Sequence, residues 1–116
     1  MAKKIYREGK NSTFTSNGKT YGLDGIFEAT HKYSITVMPV SKLSWVIPYT
    51  KPDADRIDKA DVKVPIIVVR DLSQPAAEQF IVVDGLHRLA RAIRDGLKVI
   101  PTKLISKALL AQYEIK

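Results

Sequence analysis

The chain has 116 residues, of which 45% are hydrophobic, no cysteine, and a formal net charge of +7. This length suits one domain with a single core, and the lack of cysteine excludes disulfides and thiolate chemistry and fits a reducing compartment. The longest apolar run covers residues 64–69, far fewer than the roughly 20 that span a bilayer, and the amino terminus lacks an apolar signal region, so we expect a cytoplasmic protein without membrane contact.

The excess positive charge lies at the two ends of the chain. Residues 1–34 carry six Lys or Arg against three Asp or Glu, residues 35–78 carry six against six, and residues 79–116 carry seven against three. A basic excess of this size favours a polyanionic partner such as DNA or RNA, although solvated lysines explain it equally well.

The first 34 residues combine aromatic and basic side chains, a pattern that could stack bases while binding phosphates. Asn17-Gly18 is typical of a hairpin turn, and Asp24-Gly25 predicts a second turn. We therefore favour a small β meander, which forms an amino-terminal extension over residues 1–34 on a core domain at residues 35–116. The aromatic residues of the extension are Tyr6, Phe14, Tyr21, Phe27 and Tyr33.

The stretch from residue 44 to residue 63 has structural explanations. We expect Trp45 to pack in the core; the alternative is that Trp45 and Tyr49 cover a purine ring. Asp53 is typical of a helix N-cap, and the residues after it alternate in charge as on an exposed helix face. The alternating residues are Asp55, Arg56, Asp58, Lys59, Asp61 and Lys63.

Residues 79–104 carry the clearest secondary-structure signals. Residues 79–83 are short and β-branched, which predicts a buried strand. From Leu86 the apolar residues recur at helical spacing until Gly96, which is typical of a helix end, and residues 99–104 predict another strand. Strand, helix and strand together predict a βαβ unit with parallel strands, and the turn before its helix would lie at the carboxyl edge of the sheet.

The turn Asp84-Gly85-Leu86-His87-Arg88 predicts an anion-binding corner. Free N–H groups of the first helical turn, the helix dipole and the close approach that Gly85 allows all favour a phosphate, and His87 and Arg88 add donors. Asp84 would repel a phosphate unless Mg²⁺ bridges the two or a reacting hydroxyl lies between them. The structural alternative is a capped helix in which His87 and Arg88 make internal hydrogen bonds.

Three further basic residues lie on or beside the same helix. They are Arg91, Arg94 and Lys98. Because they cluster near the predicted phosphate site, we expect them to contact nucleic acid.

This motif resembles the ParB/sulfiredoxin superfamily, which includes ParB-like partition proteins, sulfiredoxins and free-serine kinases with the motif Asp-Gly-His-His-Arg. The resemblance covers roughly residues 35–105. It implies an α/β (α+β) fold with a small mixed sheet, in which Gly85, Leu86, His87 and Arg88 cradle the phosphates of ATP or another nucleotide. Residues 35–43 look like the opening strand of that fold, 53–61 like its short helix, 64–69 like its P-I-x-V strand and 96–105 like its closing strand.

Departures from the family patterns narrow the activity. Leu86 stands where sulfiredoxins need a cysteine, which excludes their reductase chemistry. The serine kinases carry a glutamate just after the first strand, whereas residues 41–47 hold no carboxylate, so Asp84 would act alone or with Asp53 or Asp55. We do not expect the helix-turn-helix domain or dimerisation tail of partition proteins, because the chain ends at Lys116.

Three functions follow from these observations. We favour a nucleotide-binding ParB-like protein that acts on or with nucleic acid. The second is a phosphotransferase or metal-dependent nuclease in which Asp84 and His87 are catalytic. The third is a phage- or plasmid-type interaction protein without chemistry.

Ser106 predicts the cap of a last helix, whose apolar face could also form a homodimer contact.

Overall fold

The computed structural model describes residues 13–16 and 18–115. They form strands, which are arranged in two small sheets, and helices. Short 3-10 turns at Val40–Lys42, Ser44–Tyr49 and Ala76–Glu78 connect some of these elements. The predicted α/β (α+β) class with small sheets is confirmed. The strands are β1 (Thr13–Ser16), β2 (Lys19–Gly22), β3 (Thr36–Pro39), β4 (Ile66–Arg70), β5 (Phe80–Asp84), β6 (Val99–Ser106) and β7 (Glu114–Ile115). The helices are α1 (Leu23–Ala29), α2 (Ala54–Lys59), α3 (Leu86–Arg94) and α4 (Lys107–Ala111).

The larger sheet has the strand order β3-β6-β4-β5. The predicted strand, helix and strand are present as β5, α3 and β6, but the prediction that they form a parallel βαβ unit is wrong. β4 lies between the two strands, parallel to β6 and antiparallel to β5, so β5 and β6 run in opposite directions. β5 follows β4 in the chain and pairs with it as an antiparallel neighbour, while β4 pairs on its other side with β6, which is distant in sequence. Hydrophobic periodicity does not record which strands pair.

This topology places the turn after β5 at an edge of the sheet where β3 and β5 end and where β4 and β6 begin. Asp84 lies opposite Ile67, and Pro39 lies opposite Val99. The chain that follows β3, residues 40–63, therefore starts from the same edge. As a result, α2 and the 3-10 turn at Ser44–Tyr49 lie close to α3.

Several local predictions are confirmed. Asp53 caps α2 by accepting a hydrogen bond from the backbone N–H of Asp55 at 2.9 Å. Ser106 caps α4 in the same way, with the N–H of Leu109 at 3.1 Å. α3 ends before Gly96, whose φ of +72° suits only glycine without strain.

The described part of the amino-terminal extension is a hairpin followed by a helix. β1 and β2 pair around Gly18, whose φ is +76°, and β2 also pairs with β7 near the end of the chain. Asn17 and Tyr6 lie outside the described residues. The predicted turn at Asp24-Gly25 is wrong, because both residues lie inside α1.

Packing explains why α1 forms there. Leu23 and Ile26 are buried and share one helical face, so burial of that face outweighs the turn preference of the Asp-Gly pair. A Cβ at position 25 would lie 2.6 Å from the ring of Tyr113, so glycine serves close packing at this point. The division of the chain at residue 34 stays a prediction.

The two faces of the larger sheet bury separate apolar clusters. Along β4, Ile66 and Val68 point to the cluster that contains Leu89 of α3, whereas Ile67 and Val69 point to the cluster covered by α1 and α4. α3 is thereby held against one face of the sheet. None of the helices in the described residues is long and apolar enough to cross a membrane.

Candidate phosphate-binding corner and groove

Gly85 fixes the sharp turn between β5 and α3. Its φ of +109° and ψ of 24° lie where residues with a Cβ are strained. A Cβ built at this position would also lie 2.7 Å from Cβ of Ile66 and still closer to that residue's Cγ2. Glycine is therefore required by the packing of the corner as well as by its backbone conformation, whether or not a ligand binds.

α3 begins directly after this glycine. The helix is nine residues long, and the N–H of Leu89 donates to the Gly85 carbonyl at 2.9 Å. The backbone N–H groups of Leu86, His87 and Arg88 precede that first helical bond, so they have no acceptor within the helix. α3 thus starts at the corner with three N–H groups that lack an acceptor within the helix, and anion binding by them stays a prediction.

The Arg88 guanidinium is held by internal partners. It donates to Oδ2 of Asp84 at 2.7 Å and to the carbonyls of Pro65 at 2.8 Å and Val64 at 3.3 Å. The Arg88 and Asp84 side chains are only 18% and 24% exposed. Arg88 therefore ties the start of α3 to the strand ends beneath it, and its positive charge compensates the carboxylate that would otherwise repel an anion.

His87 joins the corner to α2. Its Nε2 accepts a hydrogen bond from the backbone N–H of Asp53 at 3.1 Å, which requires that nitrogen to be unprotonated. Burial lowers the pKa of His87 below its usual value, the positive charge of Arg56 lowers it further, and Asp53 acts in the opposite direction. The histidine is consequently held neutral at the place where α2 and α3 meet.

The three residues predicted to contact nucleic acid differ in their surroundings. Arg91 donates to Asp95 at 2.8 Å and to the Asp58 carbonyl at 2.6 Å. Arg94 binds the carboxylate of Asp58, which lowers the pKa of Asp58 and raises that of Arg94. Two of the three cations thus fasten α3 to α2, whereas Lys98 is exposed beyond the helix end. Their role in nucleic-acid binding stays a prediction.

A groove of about 960 Å³ opens beside the corner. Its walls are the turn at residues 84–88, the outer edge of β5, the hairpin strand β1, the 3-10 turn that carries Trp45 and Tyr49, and one side of α2. A groove of this size is within the range of ligand sites, roughly 300–1,000 Å³.

Sequence analysis missed the two cations of the groove wall. Arg56 and Lys59 line it, and neither forms an ion pair with any residue in the described ranges. Their i, i+3 spacing on α2 places them on one helical side, which was a readable signal. Which way that side faces depends on tertiary packing, so the pattern alone favoured a solvated helix face.

Trp45 and Tyr49 contribute an aromatic wall. The indole Nε1 of Trp45 donates to the Phe80 carbonyl at 3.0 Å, so the ring is held at the edge of β5. Its centroid lies 6.1 Å from that of Tyr49 in an edge-to-face arrangement, and Tyr49 is 78% exposed. Trp45 packs partly on the core as predicted, and the same pair also borders the groove.

The surroundings of Asp84 bear on the metal and base chemistry predicted for it. Within the described residues, no group of three or more His, Asp or Glu side chains could hold a metal ion. Asp84 itself would offer Mg²⁺ a single carboxylate that Arg88 already engages. Catalysis by Asp84 and His87, and Mg²⁺ at Asp84, stay predictions.

The chain was compared with known proteins. No protein-family model matches it, and no curated protein matches it. Among solved structures, it is similar to the sulfiredoxin of Arabidopsis thaliana, with a TM-score of 0.49 and 19% identity over 68% of this chain and 94% of that chain. A similarity of this size supports no argument about function.

Proposed function

We propose that the protein binds a nucleotide, whose phosphates lie at the start of α3 and whose base lies toward the aromatic wall of the groove. The observation that carries the proposal is the meeting of two features in one cavity. The first residues of α3, whose N–H groups lack an acceptor within the helix, line the same groove as Arg56 and Lys59, two cations without an ion pair among the described residues.

Charge supports the phosphate end of this arrangement. Asp84 is neutralised by Arg88, so the corner itself presents little negative charge to an incoming anion. Asp61 is the other carboxylate in the described lining, and the two positive charges of Arg56 and Lys59 outweigh its single negative charge. The helix dipole adds partial positive charge in the same direction. A di- or triphosphate would therefore gain from charges that form no ion pair within the described part of the chain.

The aromatic wall supports the base end. Tyr49 is largely exposed beside Trp45, and aromatic rings stack on any base without discriminating between bases. The described lining residues include no Asn or Gln, so none of them offers a side-chain amide to a base. We expect selectivity for the polyphosphate to exceed selectivity for the base.

Action on or with nucleic acid is a separate part of the proposal, supported by the net charge of +7 and the exposed Lys98. Arg91 and Arg94 add less than the sequence suggests, because carboxylate partners lie beside them. A polymer contact through this face should be weak and strongly dependent on salt.

Calorimetric titration with ATP, ADP and CTP, each with and without Mg²⁺, tests nucleotide binding. The informative variant is the double substitution Arg56→Gln and Lys59→Gln, which removes both groove cations without touching the internal contacts of the corner. We expect it to weaken binding at least about tenfold, or about 1.4 kcal/mol. The matched control, Lys32→Gln with Lys42→Gln, removes the same charge from exposed positions outside the groove lining.

The control separates a local effect from a change in net charge. Equal weakening by both double variants would contradict the groove as the site and indicate general electrostatic attraction. The proposal would be refuted if none of the three nucleotides gave saturable heat at about millimolar concentration. A Kd of about 1 mM corresponds to only about 4 kcal/mol of binding free energy.

A further inference from the structure

The groove separates two strand edges that have no partner among the described residues. β5 is the last strand of the larger sheet, and β1 is the last strand of the smaller one. The lining includes all four residues of Thr13–Ser16 and the consecutive residues 81–84. Because successive side chains of a strand point to opposite faces, a cavity lined by consecutive residues borders the edge of the strand.

The hydrogen-bond pattern shows which groups of β5 face outward. The N–H of Asp71 donates to the Gln79 carbonyl at 2.7 Å, which makes these two residues a hydrogen-bonded pair of the antiparallel ladder. Since such pairs alternate, Phe80 and Val82 belong to the pairs without ladder bonds and direct their N–H and C=O groups away from β4. The bond from Trp45 to the Phe80 carbonyl agrees with this orientation.

Val82 is therefore the residue that offers both a donor and an acceptor to the groove. Its side chain points to the sheet face covered by α3, where Val82 is buried at 8% exposure. A free main-chain edge of this kind is where an extended chain adds as a new strand.

The charges beside this edge define the kind of chain that fits. Arg56 and Lys59 lie in the same groove without an ion-pair partner in the described part of the chain. The described lining holds two carboxylates, and one of them, Asp84, is already paired with Arg88, which leaves the negative charge of Asp61. An incoming strand would thus meet an excess of positive charge at one end of the groove. Charge complementarity favours an acidic segment.

We propose that an extended, acidic segment of another protein binds in this groove as a strand added to β5. Its main chain exchanges hydrogen bonds with Val82, β1 forms the opposite wall, and an Asp or Glu side chain of the segment lies against Arg56 and Lys59. The added strand bridges the two sheets. This inference rests on the strand edges and holds without a nucleotide; because the acidic side chain would use the cations that the proposed function gives to phosphates, nucleotide and segment would compete for the groove.

A displayed library of random ten-residue peptides, selected on the whole chain, tests the proposal. We expect the enriched peptides to alternate β-branched residues with other types and to contain Asp or Glu. Val82→Pro removes the outward N–H without removing a ladder bond, a substitution that edge strands accept. Binding of the enriched peptides should fall at least about tenfold in Val82→Pro.

Val82→Ala is the matched control, because it also loses packing but keeps the N–H and should bind like the wild type. Equal binding to Val82→Pro and to Val82→Ala, an enrichment of basic peptides, or no enrichment at all would overturn the proposal.

A second measurement does not depend on the folding of Val82→Pro. Amide hydrogen exchange of Val82 in the wild-type protein should be fast without peptide and slow with an enriched peptide. A Val82 amide that is already protected in the free protein would show that this edge is covered, and would overturn the proposal.

Discussion

Helices α2 and α3 both carry basic residues, but those residues have different surroundings. The arginines of α3 are paired: Arg88 with Asp84, Arg91 with Asp95, and Arg94 with Asp58. By contrast, Arg56 and Lys59 of α2 face the groove without an ion-pair partner in the described residues. Paired cations hold the scaffold together, whereas the unpaired ones remain available to a ligand.

The motif at residues 84–88 belongs largely to the scaffold. Gly85 and Arg88 have packing and hydrogen-bonding roles that need no ligand. Substituting either one would disturb the corner itself, so loss of binding in such a variant would be ambiguous. The cations of α2 allow binding to be tested without that ambiguity.

Among substitutions in the scaffold around α3, we expect Gly85→Ala to have the largest effect. The new Cβ would strain a left-handed backbone and collide with Ile66, which together should cost about 2–5 kcal/mol of unfolding free energy. Urea unfolding measures this loss. Gly96→Ala is the control, because its φ of +72° carries similar backbone strain with nothing within 4 Å of the new Cβ; a loss as large as that of Gly85→Ala would mean that packing against Ile66 is unimportant.

Arg88→Met should have the next largest effect. It leaves a partly buried carboxylate at Asp84 and two carbonyls without their donor, so we expect a loss of about 2 kcal/mol. Adding Asp84→Asn removes the unpaired charge and should recover part of the loss, which a double-mutant cycle would detect. Strict additivity of the two substitutions would show that the ion pair does not stabilise the corner.

Local signals explain what sequence analysis predicted well. The strand, the turn and the helix between residues 79 and 96 follow from periodicity and from glycines at both ends of α3. The caps at Asp53 and Ser106 depend on side chains that bond within three residues. Each of these features is encoded within a few neighbouring residues, so tertiary structure had little opportunity to override it.

Tertiary structure decided the rest. The antiparallel relation of β5 and β6 depends on β4, which lies between them, and the helix at Asp24-Gly25 depends on burial of Leu23 and Ile26. The groove escaped prediction for the same reason. Arg56 comes from α2 and Trp45 from the preceding turn, and only the order of strands in the sheet brings both to the corner.

The smallest expected effects concern His87, which precedes the paired Arg88 on α3 and is influenced by the charge of Arg56. Its folded-state pKa is lowered, so the unfolded chain takes up a proton at higher pH than the folded protein does. Stability should therefore fall as the pH drops below about 6.5, the ordinary pKa, until the folded form is also protonated. His87→Gln should remove this dependence in thermal unfolding; because His31 is present in both proteins, parallel curves would contradict the role of His87.

The same histidine also reports on the unpaired cation beside it. The charge of Arg56 helps to lower the pKa of His87, so Arg56→Gln should raise that pKa, and a proton NMR titration of the His87 ring would detect the change. Lys42→Gln is the matched control, because it removes an exposed charge from outside the groove lining. If Arg56→Gln left the pKa unchanged, the Arg56 guanidinium would lie too far from His87 to act there. A polyphosphate neutralising Arg56 should move the pKa in the same upward direction, so this titration connects the scaffold of the corner with the ligand proposed for the groove.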